Sequence, residues 1–317
     1  MFVLSILLIF TLTIIGTSHA LEDVKLHTSG SVSTNALIYR IGQEKGFYKE
    51  DGLNVVPVVA KSQAGIQGLL GGSFDFSQIL GQASAAILRG APLKNVMVFD
   101  TKPLFWLYGG KKVKTLQDLK GGKTLAVSSI GANTDQMTRE VLALNGIDPQ
   151  RDVVIQGIGT GSIRLAGLMS GSLDATILNP TESLMAKKAG LNELLFYGDY
   201  DLNIVSGGVV VSDSLLNEKH DFVRRFLRGT LKAFLWFRSN EQEVVAKMAE
   251  AFRISTSDAH GMYQATLKSY TTDGTVPREL QSKILKFQSQ QLKVEKVIPP
   301  ERVYDFTILE ALNKELK

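Results

Sequence analysis

The feature that most constrains this chain is that it repeats itself. Leu69-Leu70-Gly71-Gly72-Ser73-Phe74-Asp75 returns about one hundred residues later as Leu168-Met169-Ser170-Gly171-Ser172-Leu173-Asp174, each time reading as a helix end, a turn and a strand start. The segments after the strands repeat too, Ser29 to Asn35 following the run Val24 to Thr28 much as Ser128 to Asn133 follows Thr124 to Val127. Solenoid repeats have periods of about 20 to 50 residues, so a period this long means duplicated domains. In both copies short β-rich runs alternate with segments of helical period, the pattern of a parallel sheet with crossover helices. The expected fold class is α/β, with two similar lobes.

In the first copy strands are predicted over 24–28, 54–59, 74–78, 96–99 and 104–108, with helices over 35–45, 64–70 and 83–88. The β-rich stretch Ile204 to Ser212 reads as a return crossing. Beyond it Phe222, Phe226, Leu227, Leu231, Phe234 and Leu235 form a helical stripe, and further helices over 244–252, 257–270 and 277–290 are expected to pack on lobe one. The expected division is 1–20 leader, 21–108 first part of lobe one, 109–204 lobe two, and 205–317 return and C-terminal helices, with two crossings near 104–110 and 204–210 acting as a hinge.

Composition narrows the chemistry. With 317 residues, 44% of them hydrophobic, the chain can bury a core in each lobe, and its lack of cysteine removes thiol catalysis, iron–sulfur clusters and cysteine zinc sites. The 35 Lys and Arg are interspersed with 31 Asp and Glu without a polybasic block, which argues against nucleic-acid binding. Phe2 to Ile15 is almost unbroken apolar sequence, and small Ser18 and Ala20 precede the first charges at Glu22 and Asp23, as in a cleavable secretory leader. No Lys or Arg precedes the apolar run. An uncleaved anchor is the alternative, although the run is shorter than the roughly twenty residues a spanning helix needs.

Open α/β sheets bind ligands at the carboxyl ends of their strands, where helix N-termini present unpaired N–H groups. The loops predicted there carry Ser31, Thr34, Asn35, Gln82 and Ser84 in lobe one, with Lys61 nearby. In lobe two they carry Ser128, Ser129, Asn133, Thr134, Thr160, Ser162, Asn179, Thr181 and Glu182. These are ligand-binding candidates for a polar cleft, with Trp106 at the crossing as an aromatic wall. Ser, Thr and Asn are equally the preferred helix N-caps, the alternative role of each. No Arg or Lys maps to the lobe-two loops, which favours a monoanion or an aromatic organic acid over a doubly charged oxyanion.

Catalytic motifs fail on the letters. Gly121-Gly122-Lys123-Thr124 lacks the first glycine of a P-loop, and Gly157-Ile158-Gly159-Thr160-Gly161-Ser162 lacks the third glycine of a dinucleotide fingerprint. There is no Gly-x-Ser-x-Gly elbow, and His27, His220 and His260 are scattered. No catalytic residue, metal or cofactor is expected.

Ser29 to Asn35, Glu44 to Leu53, Gly72-Ser73-Phe74-Asp75, Arg89 to Lys94, Leu116 to Lys123 and Gly171-Ser172-Leu173-Asp174-Ala175, in this order, resemble the nitrate/sulfonate/taurine-type substrate-binding proteins of ABC importers. The resemblance implies a type II periplasmic-binding-protein fold, two α/β lobes joined by a two-crossing hinge with C-terminal helices on lobe one. It also implies capture of a small organic or inorganic anion, such as a sulfonate, nitrate or carboxylate, and delivery to a membrane permease and its ATPase. By position it carries binding roles to Ser31, Asn35, Gln82, Ser128, Ser129, Thr160 and Asn179. The expectation is a periplasmic, monomeric, non-enzymatic protein. The alternatives are a binder of pyrimidine or vitamin precursors, a sensory binding protein, and an enzyme of thiamine-pyrimidine synthesis, whose cysteine-rich motif is missing here.

Overall fold

A computed structural model describes residues 20–28, 33–60, 62–202, 204–295 and 298–316. Apart from Ala20, the predicted leader lies outside these residues. The chain first lays down β1 (Glu22–Thr28), α1 (Thr34–Glu44), β2 (Leu53–Val59), α2 (Ser62–Leu70), β3 (Phe76–Ile79), α3 (Leu80–Leu88) and β4 (Leu93–Val98). It crosses to β5 (Trp106–Gly109), β6 (Lys123–Val127), α4 (Asn133–Leu144), β7 (Val153–Gly157), α5 (Gly161–Ser170), β8 (Ala175–Leu178), α6 (Pro180–Lys188) and β9 (Asn192–Phe196). It returns through β10 (Gly207–Ser212) and finishes in α7 (Asp213–Glu218), α8 (His220–Ser239), α9 (Glu241–Phe252), α10 (Thr256–Ser269), α11 (Arg278–Leu292), α12 (Pro300–Val303) and α13 (Thr307–Glu315).

Two five-stranded sheets result, ordered β2-β1-β3-β10-β4 and β7-β6-β8-β5-β9. In each, the first three strands are parallel, and the fourth is antiparallel to both neighbours. That fourth strand is the one each crossing delivers. Every residue of β3, β8 and β10 is buried, the signature of a strand covered on both faces. The boundary expected after residue 108 is corrected: residues 106–109 hydrogen-bond with β8 and β9, so the outgoing crossing is 99–105.

The cores separate in the same way. Phe222, Phe226, Phe234 and Phe237 of α8 enter the first core, where Phe226 stacks on Phe76 at 3.9 Å between ring centroids. Residues of α9, α10, α11 and α13 join it, including Met248, Met262, Ile284 and Leu309. Leu125, Val127, Met137, Val141 and Ile177 centre the second core. Phe287 of α11 is the exception among the C-terminal helices, packing against the second core.

Candidate functional site

In lobe two the loops after β6, β7 and β8 lie side by side. A Cβ built on Gly157 would sit 3.2 Å from Ser129 Cα, and one built on Gly161 would sit 2.6 Å from Glu182 Oε1. The N-termini of α4, α5 and α6 therefore share one rim, with positive dipole ends beside one another. Ser128 is fixed there by Thr134, whose Oγ1 lies 2.6 Å from Ser128 Oγ and accepts from its backbone N–H at 3.1 Å. Asn179 caps α6, accepting from the N–H groups of Thr181 and Glu182 at 3.0 and 3.1 Å. Capping is thus an actual role for Asn179, whereas Ser129, Asn133, Thr160, Ser162 and Thr181 keep exposed side chains at the rim.

Sequence reasoning missed Arg164. Its side chain is 4% exposed, and its guanidinium donates to the carbonyl of Ile177 from Nε and Nη2 at 3.3 and 3.0 Å and to that of Gly159 from Nη1. Burial pulls its pKa below the ordinary arginine value, with the nearby Glu182 charge acting in the opposite direction. Its place four residues before Leu168, on the buried face of α5, was the available signal. Glu182 Oε2 is buried without a hydrogen-bond partner. Lobe two therefore offers a rim of small donors and acceptors over one sequestered cation and one incompletely bonded carboxylate.

In lobe one, Ser31 and Lys61 lie outside the described residues. Thr34 is buried in the first turn of α1. Asn35 is held at both ends, donating to Asp100 Oδ2 at 3.1 Å and accepting from the Tyr270 hydroxyl at 2.6 Å. Asp100 also accepts from Ser206 N and Oγ at 2.9 and 2.6 Å and from Gly207 N at 3.0 Å. Burial pushes its carboxyl above the ordinary aspartate range, against the pull of the donors from Ser206, Asn35 and Gly207. One carboxylate thus ties the outgoing crossing to the returning one and orients Asn35. Gly207 is required for this, since a Cβ there would lie 1.8 Å from Asn35 Nδ2.

Two expectations in α3 need correction. That helix begins at Leu80 directly after β3, so Gln82 and Ser84 lie within it and not in a preceding loop. Gln82 is exposed in the first turn, but Ser84 is 0% exposed and accepts from Asn95 Nδ2 at 2.8 Å inside lobe one. The structure does not bring Ser84 to the cleft. Trp106 is half-buried and stacks on Phe196 at 4.7 Å, on the flank of lobe two. The lobes meet where a Cβ on Gly81, beside Gln82, would lie 3.5 Å from Asn133 Nδ2.

No curated protein sequence matches this chain. The likeness to solved structures is extensive. A periplasmic sulfonate-binding protein SsuA from Methylobacillus flagellatus KT superposes with a TM-score of 0.74 at 16% identity, over 94% of this chain and 95% of that one. The desulfurization enzyme DSZB gives 0.69 at 14% identity, over 93% and 100%. The periplasmic nitrate-binding protein NrtA from Synechocystis PCC 6803 gives 0.66 at 14% identity, over 95% and 90%. At these identities the likeness is one of fold, the periplasmic-binding-protein architecture that the resemblance in the sequence implies. The sequence profile described as NMT1/THI5 like matches residues 33–244, well over half of the chain, and the protein belongs to that family.

Proposed function

We propose that this protein is the solute-binding component of an importer, taking up a small organic or inorganic anion between its lobes. Asn35 and Gln82 face the solute from lobe one, and Ser129, Asn133, Thr160, Ser162, Thr181 and Glu182 from lobe two. In this reading residues 1–20 are an export leader, and the mature monomer works in the periplasm and hands its solute to a permease and ATPase. It performs no catalysis. The observation that carries the proposal is the meeting of the two strand-end rims, where Asn133 of one lobe approaches Gly81 of the other. A ligand touching both rims binds the closed arrangement better than the open one, the condition for shifting that equilibrium. The sulfonate- and nitrate-binding proteins that share the fold support an anion. So does the rim chemistry, small neutral donors at three helix N-termini, with the Arg164 donors already engaged by carbonyls. The fold is shared with the desulfurization enzyme DSZB as well, and a chain without cysteine has no thiol nucleophile with which to act as an enzyme.

A thermal-shift screen against sulfonates, nitrate, carboxylates and pyrimidines tests this. A ligand at about 100 times its Kd should add roughly 2.7 kcal/mol of stability. The expected result is a shift from one chemical class that Asn133→Ala and Gln82→Ala each diminish. A shift that both variants leave intact would remove the cleft assignment.

A further inference from the structure

A second cavity, of about 400 Å³, opens on the flank of the molecule and shares only Trp106 with the cleft candidates. One wall belongs to lobe two, from β5, α6 and β9, and the other is α10, whose Met262 is part of the first core. Trp106 and Phe196 form a stacked aromatic surface on the first wall, 4.7 Å between centroids. Gly261 opens the second, since a Cβ built there meets nothing within 4 Å. The volume falls in the range of small-molecule sites, and the aromatic surface suits a flat ring.

The charges at the rim are unequal in what they already hold. Glu193 accepts from the Tyr108 hydroxyl at 3.0 Å, Asp258 pairs with Lys188 at 3.1 Å, and Asp199 lies 3.9 Å from Lys268. The ammonium of Lys187, exposed in the last turn of α6, has no ion pair or hydrogen bond among the described residues. Two of the three lining carboxylates face lysines and the third accepts from a neutral hydroxyl, whereas the Lys187 ammonium is unpaired among the described residues. We infer that this seam cavity is a second small-molecule site, for a planar aromatic monoanion (an arene carboxylate or sulfonate) with its ring on Trp106 and Phe196 and its anion on Lys187. The site has one wall in each lobe, so its occupant favours the lobe arrangement that forms it. Binding at the seam and binding in the cleft are then coupled, and the coupling is reciprocal.

Calorimetric titration of the protein with naphthalene-1-sulfonate tests the inference. Saturable one-to-one binding is expected, lost in Gly261→Phe, which fills the cavity from a position with room for a side chain, and weakened roughly tenfold in the surface variant Lys187→Gln. Asn133→Ala should leave it within about threefold of the parent, a modest effect of the coupling. Absence of saturable binding to the parent protein overturns the proposal. So does binding that Lys187→Gln leaves unchanged, and so does binding lost in Asn133→Ala but kept in Gly261→Phe, which would place the ring in the cleft. Failure of the solute screen leaves this titration interpretable, because its two diagnostic positions lie outside the cleft.

Discussion

Arg164 and Glu140 are ionisable side chains that lobe two withdraws from water, and it treats them differently. Arg164 exchanges its hydration for two backbone carbonyls, so its charge persists beneath the rim. Glu140 of α4 has a buried Oε2 with no hydrogen-bond partner, and its neighbour Arg139 is committed to Asp135 at 2.7 Å. Burial pushes the Glu140 carboxyl above the ordinary glutamate range. Its folded pKa exceeds its unfolded one, so this group costs stability as pH rises through the interval between them, and costs nothing below both. Glu140→Gln is therefore expected to raise Tm at pH 7 and leave it nearly unchanged well below the ordinary glutamate pKa. Melting curves of both proteins at the two pH values check this, and an equal difference at both would assign the effect to packing.

At the scale of elements, the crossing of α1 and α8 is set by one ring. Tyr48 lies between them, with a Cβ built on Gly42 falling 2.5 Å from its Cε2 and one built on Gly229 falling 2.5 Å from its Cδ1. Its hydroxyl lies 3.1 Å from Thr230 Oγ1, and its ring stacks on Phe226. Gly229→Ala gains about 1 kcal/mol of helix propensity but forces the ring aside at a cost of about 1–3 kcal/mol. The expected net is a loss of up to about 2 kcal/mol, read from urea unfolding; a more stable variant would show that the ring can move freely. The same scale explains what could be read from the letters. Strands such as β1 and β6 announced themselves because their apolar runs end at turn residues. The start of α3 did not. Its N-cap position is Ile79, without a side-chain cap, and the Leu80 N–H is satisfied at 3.1 Å by the carbonyl of Ser206, far along the chain. A helix start satisfied by tertiary contact leaves no local signal, which is why the letters alone put Ser84 in a loop. The Asn35–Asp100–Tyr270 network was hidden for the same reason, since its members come together only when the crossings do. The loops of lobe two could be placed because each follows a strand that the letters show, although at the starts of α4, α5 and α6 only Asn179 makes a side-chain cap.

At the scale of the molecule, the two sheets share a strand order but not a continuity. All five strands of the second sheet lie in one stretch, residues 106–196, whereas the first sheet has β10 between β3 and β4. A fragment over 103–204 is expected to fold alone, with a cooperative thermal transition by circular dichroism, since among the described residues only Phe287 of its core contacts comes from elsewhere. A fragment ending at residue 204 is expected to leave its first hundred residues without protection in hydrogen exchange, because the middle of their sheet is missing. Protection there equal to that of the whole chain would refute the ordering.

The placement of β10 also gives the molecule a schedule. Synthesis delivers residues 22–98 first, yet their sheet waits for β10 at residues 207–212. At about 5–20 residues per second the delay is on the order of 5–20 s, during which the later lobe can finish folding before the earlier one begins to close. The half made first is completed last, so a nascent chain shorter than about 212 residues holds a first sheet that still lacks its fourth strand.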